Sequence, residues 1–477
     1  MKNSAFAMPG AETLARFAAI TGERHALSDP AAMAPYLSEW RDKYVGRAAM
    51  VLRPGSVEEV SQILALANDR RVAIVPQGGN TGLVGGQVPF EEGNEVVVSL
   101  GRLNRILSID AQGNTLTAQA GCTLAAIQHA AQEAGRLFPL SLGSEGSCQI
   151  GGNLATNAGG VAVLSFGNAR EQVLGLEVVL ADGRVWDGLR SLRKDNTGYD
   201  LKQLFVGSEG TLGIITAAVL KLRPRPRSRE TAFAGVKTPR AAIALLQRAQ
   251  EDFGAGVTSF ELMARIGLDF TLRHLAGARD PLNEKWPWYV LLEVSSGDSQ
   301  ETARRRVEAL LYEAMEAGEA GDVFLAQSQA QGEALWRLRT AMSEVQKHEG
   351  GSIKHDVSVP VAAIPEFLEQ AGKQIEELVP GARPVPFGHL GDGNLHYNVS
   401  QPEGADKEAF LARWEEVSAA IHDLEAGHHG SISAEHGIGR MKRDLLPGVK
   451  SVVEMEMMRA LKRTFDPRGI LNPGKLL

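Results

Sequence analysis

The sequence predicts an α+β protein of several parts. Three observations carry that reading: an early β-α-β pattern, a series of hairpin-like strand pairs, and a middle third in which helices alternate with buried strands. Ala49-Met50-Val51-Leu52 reads as the first strand. Ser56 followed by Glu59 fits a capping box, and Val57, Val60, Ile63, Leu64 and Ala67 then recur at helical spacing. Val72-Ala73-Ile74-Val75 and Val96-Val97-Val98-Ser99-Leu100 are the next short apolar strands, separated by a glycine-rich loop. Residues 106–110 and 115–120 flank Ala111-Gln112-Gly113-Asn114, and 177–181 and 184–186 flank Asp182-Gly183, a strong turn signal. Residues 212–222 read as a further strand. Arg223-Pro224-Arg225-Pro226-Arg227 then breaks the pattern and marks a domain boundary. Beyond it, 241–250 and 301–317 read as helices and 288–294 as a buried strand. Residues 331–348 predict a helix, because Leu335, Leu338, Met342 and Val345 share one face. Residues 352–360 alternate as a strand, and the C-terminal stretch returns to helix before Asn472-Pro473-Gly474.

Composition narrows the function classes. The 477 residues are 44% hydrophobic and 22% charged, a globular composition long enough to bury a large core. A formal net charge of −7 argues against a dedicated nucleic-acid binder. Two cysteines, Cys122 and Cys148, are too few for a disulfide framework or a cysteine-rich metal site, and suit buried thiols in a reducing compartment. No stretch reaches the ~18 apolar residues of a membrane span. Glu12, Arg16 and Glu23 interrupt the N-terminal apolar residues, so these do not read as a signal-peptide core. The expected location is cytoplasmic.

Fifty-two glycines exceed the usual ~7% share, and their clustering supplies the reason. The first cluster is Pro76-Gln77-Gly78-Gly79-Asn80-Thr81-Gly82-Leu83. It joins strand to strand, unlike a Rossmann fingerprint or a P-loop, both of which open a helix. Close-spaced glycines with Asn and Thr still let backbone N–H groups converge on an anion, although a plain turn would read the same. Gly151-Gly152-Asn153-Leu154-Ala155-Thr156-Asn157-Ala158-Gly159-Gly160 is the second cluster. The third is Gly207-Ser208-Glu209-Gly210-Thr211-Leu212-Gly213-Ile214-Ile215, preceded by Lys194-Asp195-Asn196-Thr197-Gly198-Tyr199-Asp200. Three such clusters in one predicted domain suit an extended ligand of dinucleotide size, approached by backbone at several points.

Two further groups carry chemistry. In His389-Leu390-Gly391-Asp392-Gly393-Asn394-Leu395-His396, a hairpin centred on Asp392-Gly393 sets the two histidines opposite each other on one face, with Cβ atoms ~5 Å apart. That arrangement can grip a metal, and Asn398 shares the face. Two histidines packed on a sheet surface are the alternative. Ser433-Ala434-Glu435-His436-Gly437-Ile438-Gly439 places a carboxylate beside another histidine. Two His and one carboxylate would leave a coordination position open, as catalytic zinc sites do. His428-His429 read as a solvated turn and His355 as structural or supporting. Arg339 and Ser343 share a helix face, and Lys354 opens the following strand. Arg and Lys can hold a carboxylate, but spacing alone favours ordinary surface charge.

The three glycine clusters in this order, the 195–216 stretch and the terminal Leu471-Asn472-Pro473-Gly474-Lys475 resemble the vanillyl-alcohol-oxidase/p-cresol-methylhydroxylase superfamily, over nearly the whole chain. Within it the chain is similar to the D-2-hydroxyacid dehydrogenase branch, which includes D-lactate, glycolate and D-2-hydroxyglutarate dehydrogenases. The resemblance implies a two-part FAD-binding domain over 1–225, made of the β-α-β unit plus a mixed sheet with helices. It also implies an antiparallel-sheet-plus-helices cap domain over 226–424 and a helical segment over 425–477 that returns to the FAD site. Pro76, Gly78, Gly79, Asn80, Thr81, Gly82 and Leu83 would wrap the pyrophosphate. Gly143, Ser144, Ser147, Gly151, Gly152, Asn157 and Gly160, then Glu209, Gly210, Gly213, Ile214, Ile215 and Asn472, would line the rest of FAD. Some members link flavin through a His in the first loop or a Cys in the second region. The first loop here has no His and only Cys148 is present, so non-covalent FAD is expected.

By the same resemblance His389, His396 and Glu435 would bind a divalent metal, with zinc expected and manganese or iron(II) as alternatives. His436 would be the acid/base. Arg339, Ser343 and Lys354 would hold the distal carboxylate of the substrate, and Asn398 its carboxylate or hydroxyl. The expected activity is oxidation of D-2-hydroxyglutarate to 2-oxoglutarate, with hydride passing from the α carbon to flavin; D-lactate or another D-2-hydroxyacid is the alternative substrate. Electrons would leave to an external acceptor, an electron-transfer flavoprotein or a quinone. Oligomeric state is open, with a homodimer as the working expectation. The rivals are a metal hydrolase, which the glycine clusters disfavour, and a non-catalytic flavin-binding subunit, which has no need of a metal and a base.

Overall fold

Apolar triplets and quartets bounded by turns build the first sheet of the chain. The computed structural model describes residues 6–477, which pack as two compact units. The first contains residues up to Gly160, then 167–225 and 435–477. Its first sheet has the order β1-β2-β4-β3, from β1 (Ala26–Leu27), β2 (Met50–Leu52), β3 (Ala73–Gln77) and β4 (Glu95–Ser99). β2 and β3 both run parallel to β4, with the helix α1 (Val57–Arg70) as crossover. Ser56 caps α1 by accepting the Glu59 N–H at 3.2 Å. The Glu59 carboxylate takes the Gly55 N–H at 2.7 Å, so only half of the expected capping box is made.

The second sheet is antiparallel, in the order β5-β6-β9-β7-β8. Its strands are β5 (Ile106–Asp110), β6 (Thr115–Gln119), β7 (Val173–Val179), β8 (Val185–Gly188) and β9 (Ile214–Lys221). Both expected hairpins are among its pairs. The C-terminal residues complete the first sheet. The Ile74 N–H donates to the Ile470 carbonyl at 2.8 Å, and the Asn472 N–H donates to the Ile74 carbonyl at 2.8 Å. Nearby, the fully buried Lys475 ammonium meets Glu95 at 3.3 Å and lies over the Phe90 ring.

The second unit contains Val161–Phe166 and Pro226–Ala434. It is built on one antiparallel sheet in the order β13-β10-β12-β11-β16-β17-β14, with β15 also paired to β17. In chain order the elements are β10 (Ser228–Val236), α2 (Pro239–Phe253), β11 (Val257–Ala264), β12 (Trp288–Ser296), α3 (Gln300–Glu316), β13 (Asp322–Leu325), α4 (Gln329–Val345), β14 (Ser352–Ile353), β15 (Val357–Ser358), α5 (Ile364–Leu378), β16 (Arg383–His389) and β17 (Asn394–Ser400). Strand alternation sorts the apolar residues onto two faces. Ala232, Leu262 and Leu292 pack with Leu245 of α2, Leu310 of α3 and Phe367 of α5. Phe233, Met263, Leu291 and Phe387 pack on the other face with Leu335, Leu338 and Met342 of α4.

Two expectations need correction here. The single strand expected over 352–360 is split into β14 and β15. Between them the His355 ring bonds the Tyr397 carbonyl at 2.7 Å, and the Asp356 carboxylate accepts from the Asn394 amide at 3.0 Å, so side chains take over from the ladder. The β16–β17 hairpin also turns differently. Its loop is the four residues 390–393, so His389 pairs with Asn394 and Phe387 with His396. The Asp392 side chain caps the Asn394 N–H at 3.0 Å, and Gly393 adopts φ +86 where a Cβ would meet the Val359 carbonyl at 2.2 Å. A four-residue loop is thereby favoured over a two-residue turn. The register differs by an even number of residues, so both histidines keep the expected face.

Candidate active site

In the first unit the glycine loops surround a cavity. Its wall includes Pro76 and Gln77 at the end of β3, residues 78–82 after it, residues of the short helix Ile150–Ala155, Glu209, Gly210 and residues 213–215, and Asn472 beside β3. Backbone approaches backbone closely here. A Cβ on Gly79 would sit 2.0 Å from the Ser147 carbonyl, and one on Gly151 2.6 Å from the Ala120 methyl. A Cβ on Gly152 would meet nothing within 4 Å, so this glycine leaves open space at the wall. Gly79→Ala is therefore expected to force the loops apart and to abolish bound flavin, read as loss of the visible absorbance of the purified protein; a normally yellow variant would contradict the packing argument.

The wall is rich in amides whose oxygens lack protein partners. Asn80, Gln149, Asn153 and Asn472 each have a buried side-chain oxygen without a hydrogen bond. The N–H₂ groups of two of them are anchored: Asn80 donates to the Pro35 and Ser38 carbonyls, and Asn472 donates to the Gly86 and Glu209 carbonyls at 3.0 and 2.9 Å. Asn80, Glu209 and Asn472 also adopt left-handed backbone, with φ of 56, 51 and 44°. A buried orphan acceptor calls for a donor. The ring N–H, ribityl and ribose hydroxyls and adenine amine of FAD supply such donors, so this wall fits the cofactor.

Leu83, Gly143, Ser144, Ser147, Asn157 and Gly160 do not line this cavity. Asn157 accepts the Arg170 N–H, the Ser144 carbonyl closes a turn on Ser147 and Cys148, and Gly160 packs on Ser141. Gln77, Gln149 and Asn153, inside the expected cofactor-lining stretches 76–83 and 143–160, do line it. Cys148 is also in the wall, and burial pushes its thiol pKa up.

His436 lines the same cavity. Its ring Nε2 lies 3.7 Å from the Glu435 carboxylate. The loop carrying this pair is fastened by Glu209, whose carboxylate accepts the Ile438 and Gly439 N–H groups, each at 2.7 Å. Burial raises the Glu209 carboxyl pKa, while these two donors and Lys442 work against the rise. Gly437 turns at φ +84, where a Cβ would crowd Glu209 at 2.8 Å. The loop is also pinned by the Arg440 and Met441 N–H groups on the Val84 carbonyl.

In the second unit, the α4-facing side of the sheet carries the remaining groups. His389 and His396 sit diagonally across the hairpin with ring centroids 5.7 Å apart. His396 Nδ1 is 4.0 Å from the Asp356 carboxylate, and Asn398, two residues on, is buried. Asp356 and His396 each offer a metal-ligating atom within 4.8 Å of the other; within the first unit Glu435 and His436 do the same. The Ala434 N–H bonds the Asp356 carbonyl at 3.4 Å as the chain leaves the second unit toward Glu435. His389 is engaged on its other side: its Nδ1 lies 2.5 Å from the Glu261 carboxylate.

Glu261 is fully buried on β11 and also accepts from Arg339 Nε at 2.6 Å. Burial would raise its pKa, but the Arg339 charge and the hydrogen bonds from His389 and Arg339 hold the carboxyl well below the usual range. Arg339 is therefore a buried residue paired to Glu261, with its guanidinium over the Phe387 ring, and not the surface charge its spacing favoured. Ser343, one turn on, is exposed, and Lys354 Nζ donates to its carbonyl at 2.7 Å. His355 is buried, with its ring on the Tyr397 carbonyl. His428 is not wholly solvated: its ring bonds Gln370 at 3.0 Å, while His429 is exposed.

Comparison with known proteins identifies the family of the chain. Residues 48–188 match the FAD binding domain family, and residues 225–476 match the C-terminal domain of FAD linked oxidases. The mitochondrial D-2-hydroxyglutarate dehydrogenase of Arabidopsis thaliana is 39% identical over 476 residues, covering 100% of this chain and 83% of that protein. The mitochondrial D-2-hydroxyglutarate dehydrogenase of Bos taurus is 39% identical over 452 residues, 94% of this chain and 81% of that protein. The crystal structure of p-cresol methylhydroxylase with substrate bound shares the fold, with a TM-score of 0.76 at 16% identity, over 98% of this chain and 96% of that one. Both sequence relatives are mitochondrial proteins, which overturns the cytoplasmic location expected from composition; charge and hydropathy do not encode that address. Among the described residues no helix is long and apolar enough to cross a membrane. The chain belongs to the FAD-linked oxidases, in the family of the D-2-hydroxyglutarate dehydrogenases.

Proposed function

We propose that this protein oxidises D-2-hydroxyglutarate to 2-oxoglutarate, using non-covalent FAD and a divalent metal, zinc first, held by His389, His396 and Glu435. When bound, FAD supplies the two-electron acceptor and the metal supplies Lewis-acid polarisation of the hydroxyl and adjacent carboxylate. The chain's own residues do the rest. His436, in the wall of the flavin cavity, takes the hydroxyl proton as general base. Arg339 and Lys354 hold the distal carboxylate by charge-assisted hydrogen bonds, with the Ser343 hydroxyl completing the set. Asn398 orients the proximal carboxylate or hydroxyl. Non-covalent flavin agrees with Cys148, because burial pushes its thiol pKa up and so disfavours the nucleophilic thiolate. Electrons then pass to an electron-transfer flavoprotein or a quinone, and the working assembly is a homodimer.

The observation that carries the substrate assignment is the Lys354 Nζ bond to the Ser343 carbonyl at 2.7 Å, which sets a second cation against the helix turn that follows Arg339; a monocarboxylate would not need it. The test is anaerobic. The yellow protein is mixed with D-2-hydroxyglutarate, D-lactate or D-malate, with and without a chelator, and the flavin absorbance is followed. Fast bleaching by D-2-hydroxyglutarate, abolished by the chelator, is expected. Bleaching by D-lactate alone would discard the dicarboxylate reading.

A further inference from the structure

We propose that Glu261 is a positioning residue that sets both ends of the substrate site at once: it orients His389 as a metal donor and Arg339 as a carboxylate clamp. This rests on the metal and substrate reading given above.

The strand β11 holds an anomaly. Every residue of Val257–Ala264 is buried, yet the strand carries a carboxylate in its middle. An unpaired buried charge is strongly unfavourable, and removing one partner of a buried pair costs more than the pair contributes. Such a residue is seldom retained for stability alone, since an apolar side chain would serve the core at least as well. What distinguishes Glu261 is where its two oxygens go. Register pairs Glu261 with His389 across β11 and β16, so both side chains rise on the α4 face. Oε1 meets His389 Nδ1 at 2.5 Å, and Oε2 meets Arg339 Nε at 2.6 Å.

Each contact selects an orientation. A neutral imidazole with its proton on Nδ1, donated to a carboxylate, keeps the Nε2 lone pair for a metal. A guanidinium engaged through Nε retains its Nη1 and Nη2 groups for a second, bidentate partner. Phe387 backs the Arg339 plane with its ring centroid 4.7 Å away and packs against His396 at 5.2 Å. One buried carboxylate thus ties the group that would hold the reacting end of the substrate to the group that would hold the far end.

The experiment uses the full-length flavoprotein, stripped of metal by a chelator and titrated with Zn²⁺. Glu261→Gln is compared with wild type and with His396→Gln. The double variant Glu261→Gln/Arg339→Gln, which leaves no unpaired buried charge, serves if the single one fails to fold. Flavin absorbance and melting temperature report the fold. The expected result is Zn²⁺ affinity weaker by about 10–100-fold in Glu261→Gln, as for loss of a carboxylate behind a metal-bound histidine. KM for D-2-hydroxyglutarate should also rise more than KM for D-lactate. A lower melting temperature with unchanged Zn²⁺ affinity would make Glu261 merely structural and overturn the proposal. If His396→Gln abolishes Zn²⁺ binding while the Glu261 variants do not weaken it, the proposal alone fails. If His396→Gln has no effect either, the metal reading fails and takes the proposal with it.

Discussion

His436→Asn is expected to slow flavin reduction by D-2-hydroxyglutarate by roughly 10²–10⁴-fold, the range associated with loss of a general acid–base. The flavin itself should remain bound. The glycine loops and the orphan amides of Asn80, Gln149, Asn153 and Asn472 make most of the cavity, and none of them depends on the His436 ring. The loop should hold its path, because Glu209 grips it through the Ile438 and Gly439 backbone. The loss should therefore fall on the rate of the reductive half-reaction, with little change in KM. Stopped-flow absorbance under anaerobic conditions measures it. A rate within tenfold of wild type would remove His436 from the role of base.

The second large effect concerns Arg339, and the structure changes how it must be read. From its spacing alone, Arg339→Ala would test substrate specificity. In the folded protein it would also take the guanidinium from the buried Glu261 carboxylate, leaving it only the His389 contact. Breaking a buried pair costs about 3–5 kcal/mol, enough to unfold much of a marginally stable domain. Arg339→Ala is expected to show that loss in denaturant or thermal unfolding before any kinetic effect can be assigned. Specificity is better tested at Lys354, which is only partly buried. A hydrogen bond to a charged group contributes about 1.5–3 kcal/mol, so Lys354→Met should raise KM for D-2-hydroxyglutarate by about 10–150-fold. KM for D-lactate, which has no distal carboxylate, should stay within a few-fold. Equal changes for both substrates would sink the dicarboxylate reading.

What could be read in advance followed from local physics. The glycine clusters were legible because close backbone approach and left-handed turns demand small residues at those positions. The shared face of His389 and His396 was legible because strand parity survives an even shift of register. Their pairing was not, because it depends on the Asp392 side chain capping its own loop and on Gly393 meeting Val359, a contact from outside the hairpin. Glu261 was missed for a related reason. Its partners lie 78 and 128 residues along the chain, and no spacing rule reaches that far. Its one local signal was a carboxylate in the middle of a buried strand. The broken strand over 352–360 has the same origin, since the residues that interrupt it, His355 and Asp356, bond to Tyr397 and Asn394.

The seating of Ile470 and Asn472 on Ile74 also imposes an order on biosynthesis. A ribosome delivers residues 226–434 as one run, and that run supplies all but six residues of the second unit, so its sheet can form while the chain is still being made. The first unit cannot close at that stage. Its edge beside β3 waits for residues separated from it by nearly four hundred positions, and the cavity lacks His436 and Asn472 until the last stretch emerges. Cofactor capture is therefore a late event in the life of each molecule, and the apo chain must persist with its glycine loops incomplete until translation ends.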